Sequence, residues 1–370
     1  MSNAGKMAFI VASLAVGLTT AIAAARAQSG APASGVKMAE EVYKNIQVLK
    51  GVPAEQIPPT MQLIAASLGT QCSHCHVSGA NEKDDKTPKE FARIMMKMVF
   101  DLNKNTFGDR MAVTCFTCHQ GKLRPVGTME PADLGRRSPA PGLVGGQPSA
   151  DQMLSKLVQA LGGEAAIAKI TTRLATGTLE SGANLPSPVE IYVKFPDKRL
   201  VVTHISGDES RSAAAGGTGW TSSAARGLRD MSAADVETNK LEDDLYLAAT
   251  ARKTYQWRVA SPEKVGDKDA YVLNGSAQGH VPLRIYLDQQ TGLLLRLAHF
   301  LETPFGRLPT QLDYDDYRDV DGVKVPFRIS TIRPNTRYTI QLNQVQQNVP
   351  VEDARFAKPA APATPGGRQQ

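Results

Sequence analysis

The stretch Cys72-Ser73-His74-Cys75-His76 and its counterpart Cys115-Phe116-Thr117-Cys118-His119 decide how this chain is interpreted. Together they use all 4 cysteines of the 370-residue sequence. Cys-x-x-Cys-His is the attachment pattern of c-type haem, in which the two thiols bond to the haem and the adjacent histidine becomes the proximal iron ligand. The pattern therefore predicts two covalently bound haem c groups, held by Cys72, Cys75 and His76 and by Cys115, Cys118 and His119.

Three other uses of paired cysteines explain the pattern less well. A zinc ribbon separates its two pairs by about 15–20 residues, and here the separation is about twice that. Two disulfides are compatible with an oxidising compartment. A thioredoxin-like redox site normally has a single Cys-x-x-Cys near a βαβ unit. All three leave the histidine after each pair unexplained.

The N-terminus predicts export, which agrees with haem attachment outside the cytoplasm. Lys6 precedes an apolar run from Met7 to Ala25, and Ala25-Arg26-Ala27 has the small-x-small form of a cleavage site. We interpret residues 1–27 as a signal peptide, with an uncleaved anchor as the alternative. The expected product is periplasmic, with no membrane span after cleavage. The formal net charge is +6, and haem propionates would offset part of it, so nucleic-acid binding is not expected.

Composition and periodicity divide the rest of the chain. We expect an all-α dihaem region at 28–124, a Pro/Gly-rich linker at 125–148, a mainly antiparallel β domain with helices at 149–357 and a disordered tail at 358–370. Helices are predicted from Met38 to Leu49, from Pro58 to Gly69, from a Thr87 cap to about Asn105 and from Met231 to Leu247. Ten strands are predicted, over 171–179, 189–195, 200–205, 255–259, 270–273, 283–287, 293–300, 312–320, 323–332 and 336–345.

A sixth iron ligand is needed if each haem only transfers electrons, and methionine sulfur suits that role. Met61 lies on the helix that enters the first motif and is our candidate there. The third helix carries a stripe of Phe91, Met95, Met98 and Leu102, which favours Met95 for the second haem with Met98 as the alternative. His204, His280 and His299 lie among the strands and are expected to be surface or pocket residues.

At these residues the first region resembles the cytochrome c subunit of photosynthetic reaction centres. The resemblance covers about residues 36–126 and is carried by FARIMMKMVFDLNKN (91–105), VTCFTCHQG (113–121) and the unit at 44–76. It implies repeated units of helix, axial methionine, turn and Cys-x-x-Cys-His, and so pairs Met61 with His76 and Met95 with His119. The family has four haems, whereas this chain offers attachment sites for two.

The second region more weakly resembles periplasmic lipoprotein carriers, in which a helix packs into a curved antiparallel sheet or half-barrel. The matching segments are YDDYRDVDGVKVPFRI (314–329) and VQQNVPVEDARF (345–356). This resemblance implies a possible apolar ligand. The leading functional hypothesis is a periplasmic electron carrier or relay that serves redox partner proteins. The alternatives are a haem peroxidase or oxidase with one open iron, and an apolar-ligand-binding protein with accessory haems.

Overall fold

The computed structural model describes residues 36–125, 146–182, 185–205, 207–334 and 336–360. The predicted signal peptide, most of the predicted linker and nearly all of the predicted tail lie outside these residues. From Lys37 onward the described residues belong to one compact unit. No helix in the described part of the chain is both long and apolar enough to cross a membrane.

The first part of the chain is built from short helices and loops around the two motifs. Its α-helices are α1 (Ala39–Val42), α2 (Ile57–Leu68), α3 (Thr87–Phe107) and α4 (Cys115–His119). Two 3-10 helices lie at Ala54–Gln56 and Cys72–His74, so each motif forms a helical turn of its own. Gly69 and Gly108 end α2 and α3 in the left-handed conformation that glycine adopts without a Cβ clash.

The second part is a 13-stranded sheet in which every pairing is antiparallel. Strands that are neighbours in sequence pair, except for β6 and β7, which form the two edges of the sheet. The first and last strands also pair, which gives the order β6-β5-β4-β3-β2-β1-β13-β12-β11-β10-β9-β8-β7. The strands are β1 Thr172–Glu180, β2 Ser187–Lys194, β3 Lys198–Ile205, β4 Asp208–Ala215, β5 Thr218–Ser223, β6 Gly227–Asp230, β7 Gln256–Val265, β8 Lys268–Ser276, β9 Leu283–Asp288, β10 Leu294–Thr303, β11 Gly306–Val320, β12 Val323–Arg333 and β13 Thr336–Gln347.

Helices pack against one face of this sheet, and the C-terminal segment packs against the other. The helices are α5 (Ala150–Ala160), α6 (Glu164–Ile167), α7 (Ala233–Leu241), α8 (Asp244–Tyr246), a π-helix (Leu247–Ala251) and α9 (Arg252–Thr254). On the opposite face, Val351 and Phe356 pack with Trp220, whose indole N–H donates to the Phe356 carbonyl at 2.9 Å. A mainly antiparallel β region with helices is therefore confirmed.

Three predicted helices differ from the observed ones. The first stops at Val42 because Tyr43 is extended and Asn45 has positive φ, while Met38 pairs with Pro53 in an isolated bridge. Thr87 is the first residue of α3 instead of its cap; Lys86 occupies the cap position, and no side chain there caps the helix. The predicted helix from Met231 to Leu247 divides into α7, α8 and the π-helix.

All ten predicted strands are present, but three strands were missed. The missed strands β4 and β5 are rich in Ser, Thr, Ala and Gly, and β6 has only four residues, so all three lack the apolar alternation that identifies a strand. The β11–β12 hairpin turns at Asp321 and Gly322 with both φ angles positive, as the Asp-Gly pair predicts.

The tip of the β10–β11 hairpin lies in the apolar core of the helical part. Phe305 at the tip is fully buried and stacks on Phe100 of α3, with 4.6 Å between ring centroids. Leu308 belongs to the same buried cluster as Leu63 and Val99. The sheet therefore completes the core around which the helices pack.

Candidate haem sites

Both motifs hold their histidine rings in the same way. The His76 Nδ1 atom lies 3.0 Å from the Asn81 carbonyl oxygen, and the His119 Nδ1 atom lies 3.0 Å from the Lys122 carbonyl oxygen. A carbonyl can only accept, so each Nδ1 must carry the proton and each Nε2 keeps its lone pair. Among the described residues, neither Nε2 has a hydrogen-bond partner. Both rings are thus oriented as a proximal iron ligand requires.

The four thiols are free and lie within the two helical turns. Cys72 and Cys118 are exposed, and Cys75 and Cys115 are partly buried. Burial raises the pKa of both the Cys75 and the Cys115 thiol. No cluster of metal-ligating side chains that could hold a zinc ion occurs in the described part of the chain. The two disulfides that we considered as an alternative are not formed.

α3 presents two apolar faces, of which the described residues cover only one. Met96, Val99 and Phe100 pack into the helical core with Phe305. A second stripe is left exposed, at 61% for Phe91, 51% for Ile94, 39% for Met95, 41% for Met98 and 37% for Leu102. Exposed apolar patches often mark binding sites, and this stripe includes both candidate methionine ligands of the second haem.

The structure places the candidate axial methionines differently. Met61 on α2 is half-buried and packs against the same cluster as Cys115. Met95 and Met98 both lie on the exposed stripe, so their positions leave the choice between them open. Met96, which lies off the predicted stripe, packs in the core.

Asn103 of α3 connects that helix to the second motif and was missed in the sequence. Its side chain is 6% exposed and donates to the Val113 carbonyl at 2.7 Å, while its Oδ1 accepts from the amides of Ala112 and Val113. Thr114 then caps α4, with the Thr117 amide donating to its hydroxyl at 3.3 Å. The only sequence signal for Asn103 is an amide beside an apolar stripe.

The end of α2 packs on the loop that follows the second motif. Gly69, three residues before Cys72, leaves no room for a side chain, because a Cβ there would lie 2.0 Å from the Gly121 carbonyl oxygen. The Gly121 amide in turn donates to the Ser67 carbonyl at 2.9 Å. Since Gly121 follows His119 by two residues, this contact holds the start of one motif beside the end of the other.

The second part contains buried polar groups and a polar surface pocket. A surface pocket of about 510 Å³ is lined mainly by polar residues, including Gln256, Ser276 and His280. His280 Nδ1 lies 2.7 Å from Glu237, which also accepts from Tyr255. The expectation that His299 is a surface or pocket residue is wrong, because it is only 2% exposed and burial lowers its pKa to about 4.

Comparison with known proteins matches the first part to a cytochrome family. Residues 7–152 match the family described as photosynthetic reaction centre cytochrome C subunit. The resemblance found in the sequence is confirmed. The photosynthetic reaction center cytochrome c subunit of Thermochromatium tepidum is 34% identical over 91 residues, covering 24% of this chain and 22% of that protein. The Roseobacter denitrificans subunit is 32% identical over 106 residues, covering 25% of this chain and 28% of that protein. The chain thus spans about a quarter of the relatives' length.

Comparison with solved structures gives distant similarities over about 57% of this chain. A DUF1329 family protein from Desulfovibrio piger has a TM-score of 0.41 at 15% identity, covering 57% of this chain and 98% of that one. A LolA superfamily protein from Nitrosomonas europaea has a TM-score of 0.40 at 13% identity, covering 57% of this chain and 99% of that one.

Proposed function

We propose that this chain is an exported, periplasmic dihaem c-type cytochrome that relays electrons between redox partner proteins. The observation that carries the proposal is the shared geometry of the two motifs. In each, free thiols lie beside a histidine whose Nδ1 is bonded to a loop carbonyl and whose Nε2 is free. A disulfide requires no such orientation of the ring, and the described residues contain no group of three or more His, Cys, Asp or Glu side chains that could hold a metal ion.

The chain's own residues supply attachment, orientation and cover for two haems. Cys72 and Cys75 would bond one haem and His76 would ligate its iron, with Met61 on the other side. Cys115 and Cys118 would hold the second haem, with His119 and Met95 or Met98 as its ligands. The bound haems would supply the one-electron couples. An all-α cytochrome region at 28–124 belongs to this proposal.

Relay between two haems requires that they lie near each other, and the Gly69–Gly121 contact supports that. It joins the chain just before Cys72 to the chain just after His119 without an intervening side chain. His/Met ligation at both irons would close them to small ligands, which favours electron transfer over a peroxidase. The cluster of Glu237, Tyr255 and His280 lies in the sheet region, away from the motif residues in sequence. Apolar-ligand binding stays a prediction.

Intact mass and visible spectra of the protein, expressed with haem-attachment machinery, test the proposal. We expect a signal-cleaved polypeptide plus two haems, and a ferric spectrum with the weak far-red band of sulfur ligation. Met61→Ala should remove one haem's share of that band, and either Met95→Ala or Met98→Ala should remove the other. Met96→Leu is the matched control and should leave the band intact. A mass equal to bare polypeptide would contradict the proposal, and a high-spin site that binds cyanide would favour the enzyme.

A further inference from the structure

Lys89, in the first turn of α3, is an unusual buried lysine beside the first motif. It is 9% exposed, and its ammonium donates to the Asn81 carbonyl at 2.8 Å and to the Lys83 carbonyl at 2.7 Å. Asp84 lies 2.9 Å from the same ammonium and also accepts from Arg93 at 2.9 Å. The loop that follows His76 therefore wraps around the Lys89 ammonium, which contacts two of its carbonyl groups and one of its carboxylates.

The Asn81 carbonyl that Lys89 contacts is also the acceptor for His76. Its oxygen receives the imidazole Nδ1–H at 3.0 Å and the ammonium at 2.8 Å. A carbonyl oxygen that already accepts a charged donor has less electron density to offer a second donor. The hydrogen bond from His76 is weakened, so the imidazole carries less negative character and gives less electron density to iron.

The second motif lacks this arrangement. His119 donates to the Lys122 carbonyl at the same distance of 3.0 Å. In the part of the chain that the structure describes, no ammonium or guanidinium donates to that carbonyl. The two histidines are therefore held by equivalent hydrogen bonds, and only the first acceptor is shared with a cation.

We propose that Lys89 raises the reduction potential of the haem held by His76, selectively over the haem held by His119. The inference rests on the proposed function, because it requires both haems. Two effects act in the same direction. The shared carbonyl makes His76 a poorer donor to ferric iron, and the nearby positive charge favours the ferrous state, whose charge is lower. Asp84 opposes the second effect, since its carboxylate partly neutralises the ammonium.

Three variants of the holoprotein test the role of Lys89. Lys89→Met keeps the apolar stem and should shift the ferric-to-ferrous ratio of the His76 haem about tenfold toward ferric, the size of typical outer-shell effects. That shift lowers its potential by about 59 mV. Asp84→Asn should raise the same potential, and Lys89→Arg should leave it near the native value. A redox titration followed by NMR of the His76 and His119 ring signals assigns each potential to its haem.

The Asp84 variant separates charge from loop packing. If Lys89 acted only by holding the loop, both Lys89→Met and Asp84→Asn would admit water and lower the potential. A lowered or unchanged potential in Asp84→Asn would overturn the proposal, as would equal shifts of both haems in Lys89→Met. If Lys89→Met fails to retain haem, Lys89→Gln takes its place as the neutral variant.

Failure of this inference can be told apart from failure of the proposed function. Intact mass of the unsubstituted protein comes first, and absence of the haem at the first motif contradicts the function itself. With both haems present, the NMR titration also reports the His76 Nδ1–H signal. We expect it to move downfield in Lys89→Met, as a strengthened hydrogen bond does, whereas the His119 signal stays in place.

Discussion

Helices α3 and α5 have similar apolar stripes but bury them very differently. In α5 the stripe is almost completely covered, with Met153 at 2%, Leu154 at 4% and Leu157 at 0% exposed. In α3 the corresponding side chains are exposed, with Phe91 at 61% and Met98 at 41%. A stripe at helical spacing predicts a partner, but the spacing alone does not say whether the partner is protein.

α5 finds its partners among the described residues, which leave the α3 stripe exposed. The α5 side chains belong to a buried cluster that also contains residues of strands β8 to β12 and of the helices between β6 and β7. Under the proposed function, a haem attached at the nearby motifs would cover the α3 stripe. An exposed apolar stripe therefore acquires a functional meaning only beside Cys-x-x-Cys-His.

Removal of the haems should have the largest effect on the difference between α3 and α5. If the exposed stripe of α3 is a haem contact, protein with all four motif cysteines changed to serine should lose the structure of α2 to α4. The rest of the sheet, whose apolar clusters away from the β10–β11 tip contain no proposed haem contact, should persist. Hydrogen exchange should show protection lost over residues 57–119 and retained over β1 to β3 and β7 to β13.

Paired variants serve as the controls for the haem-free protein. Cys72→Ser with Cys75→Ser should remove only the first haem, and Cys115→Ser with Cys118→Ser only the second. Loss of the second haem should deprotect α3 more, because its stripe carries both Met95 and Met98. Full protection of α3 without any haem would show that the stripe has another partner.

Replacing the hairpin tip should give the next largest effect. Phe305→Ala removes a fully buried ring that stacks on Phe100, and such truncations cost about 3–5 kcal/mol. The loss should appear as a lower free energy of unfolding in urea, with haem retained. Leu185→Ala, at a side chain that is 86% exposed, should change stability by no more than about 0.5 kcal/mol.

Phe305 also shows where prediction from the sequence stops. Local patterns predicted the ten apolar strands, the Asp321-Gly322 hairpin and the attachment residues, because each depends on spacing within a few positions. Contact between Phe305 and Phe100 joins residues about 200 positions apart, and nothing in either segment encodes it. The same holds for Lys89, whose place in an apparent capping sequence concealed its contact with Asn81.

A smaller effect should come from the pH dependence of His299. Burial lowers its pKa from 6.5 to about 4, with Glu242 opposing the shift and Arg333 adding to it. The unfolded chain therefore binds a proton at His299 more readily than the folded protein does. Above pH 6.5 the histidine is neutral in both states and the folded protein carries no penalty. As pH falls from 6.5 toward 4, protonation of the unfolded chain lowers the free energy of unfolding. The loss should amount to about 3 kcal/mol, from about 1.4 kcal/mol for each pKa unit.

The variant His299→Phe isolates this contribution because it keeps a ring of similar size without a titrating group. Its free energy of unfolding should fall less steeply between pH 6.5 and 4 than that of the native protein. The carboxylates that titrate in the same range remain in both proteins and cancel in the difference. Parallel pH profiles would show that His299 is not the responsible group.

The smallest effect compares the caps of α4 and α5, which have the same two-way hydrogen bonding. Ser149 accepts from the Gln152 amide at 3.2 Å, and Thr114 accepts from the Thr117 amide at 3.3 Å. Ser149→Ala should cost about 1 kcal/mol, the usual value of a cap. Thr114→Val should cost less in the holoprotein, since thioether bonds at Cys115 and Cys118 would hold both ends of that five-residue helix. Urea unfolding measures both, and a larger loss for Thr114→Val would mean that the cap, and not the haem, holds α4 together.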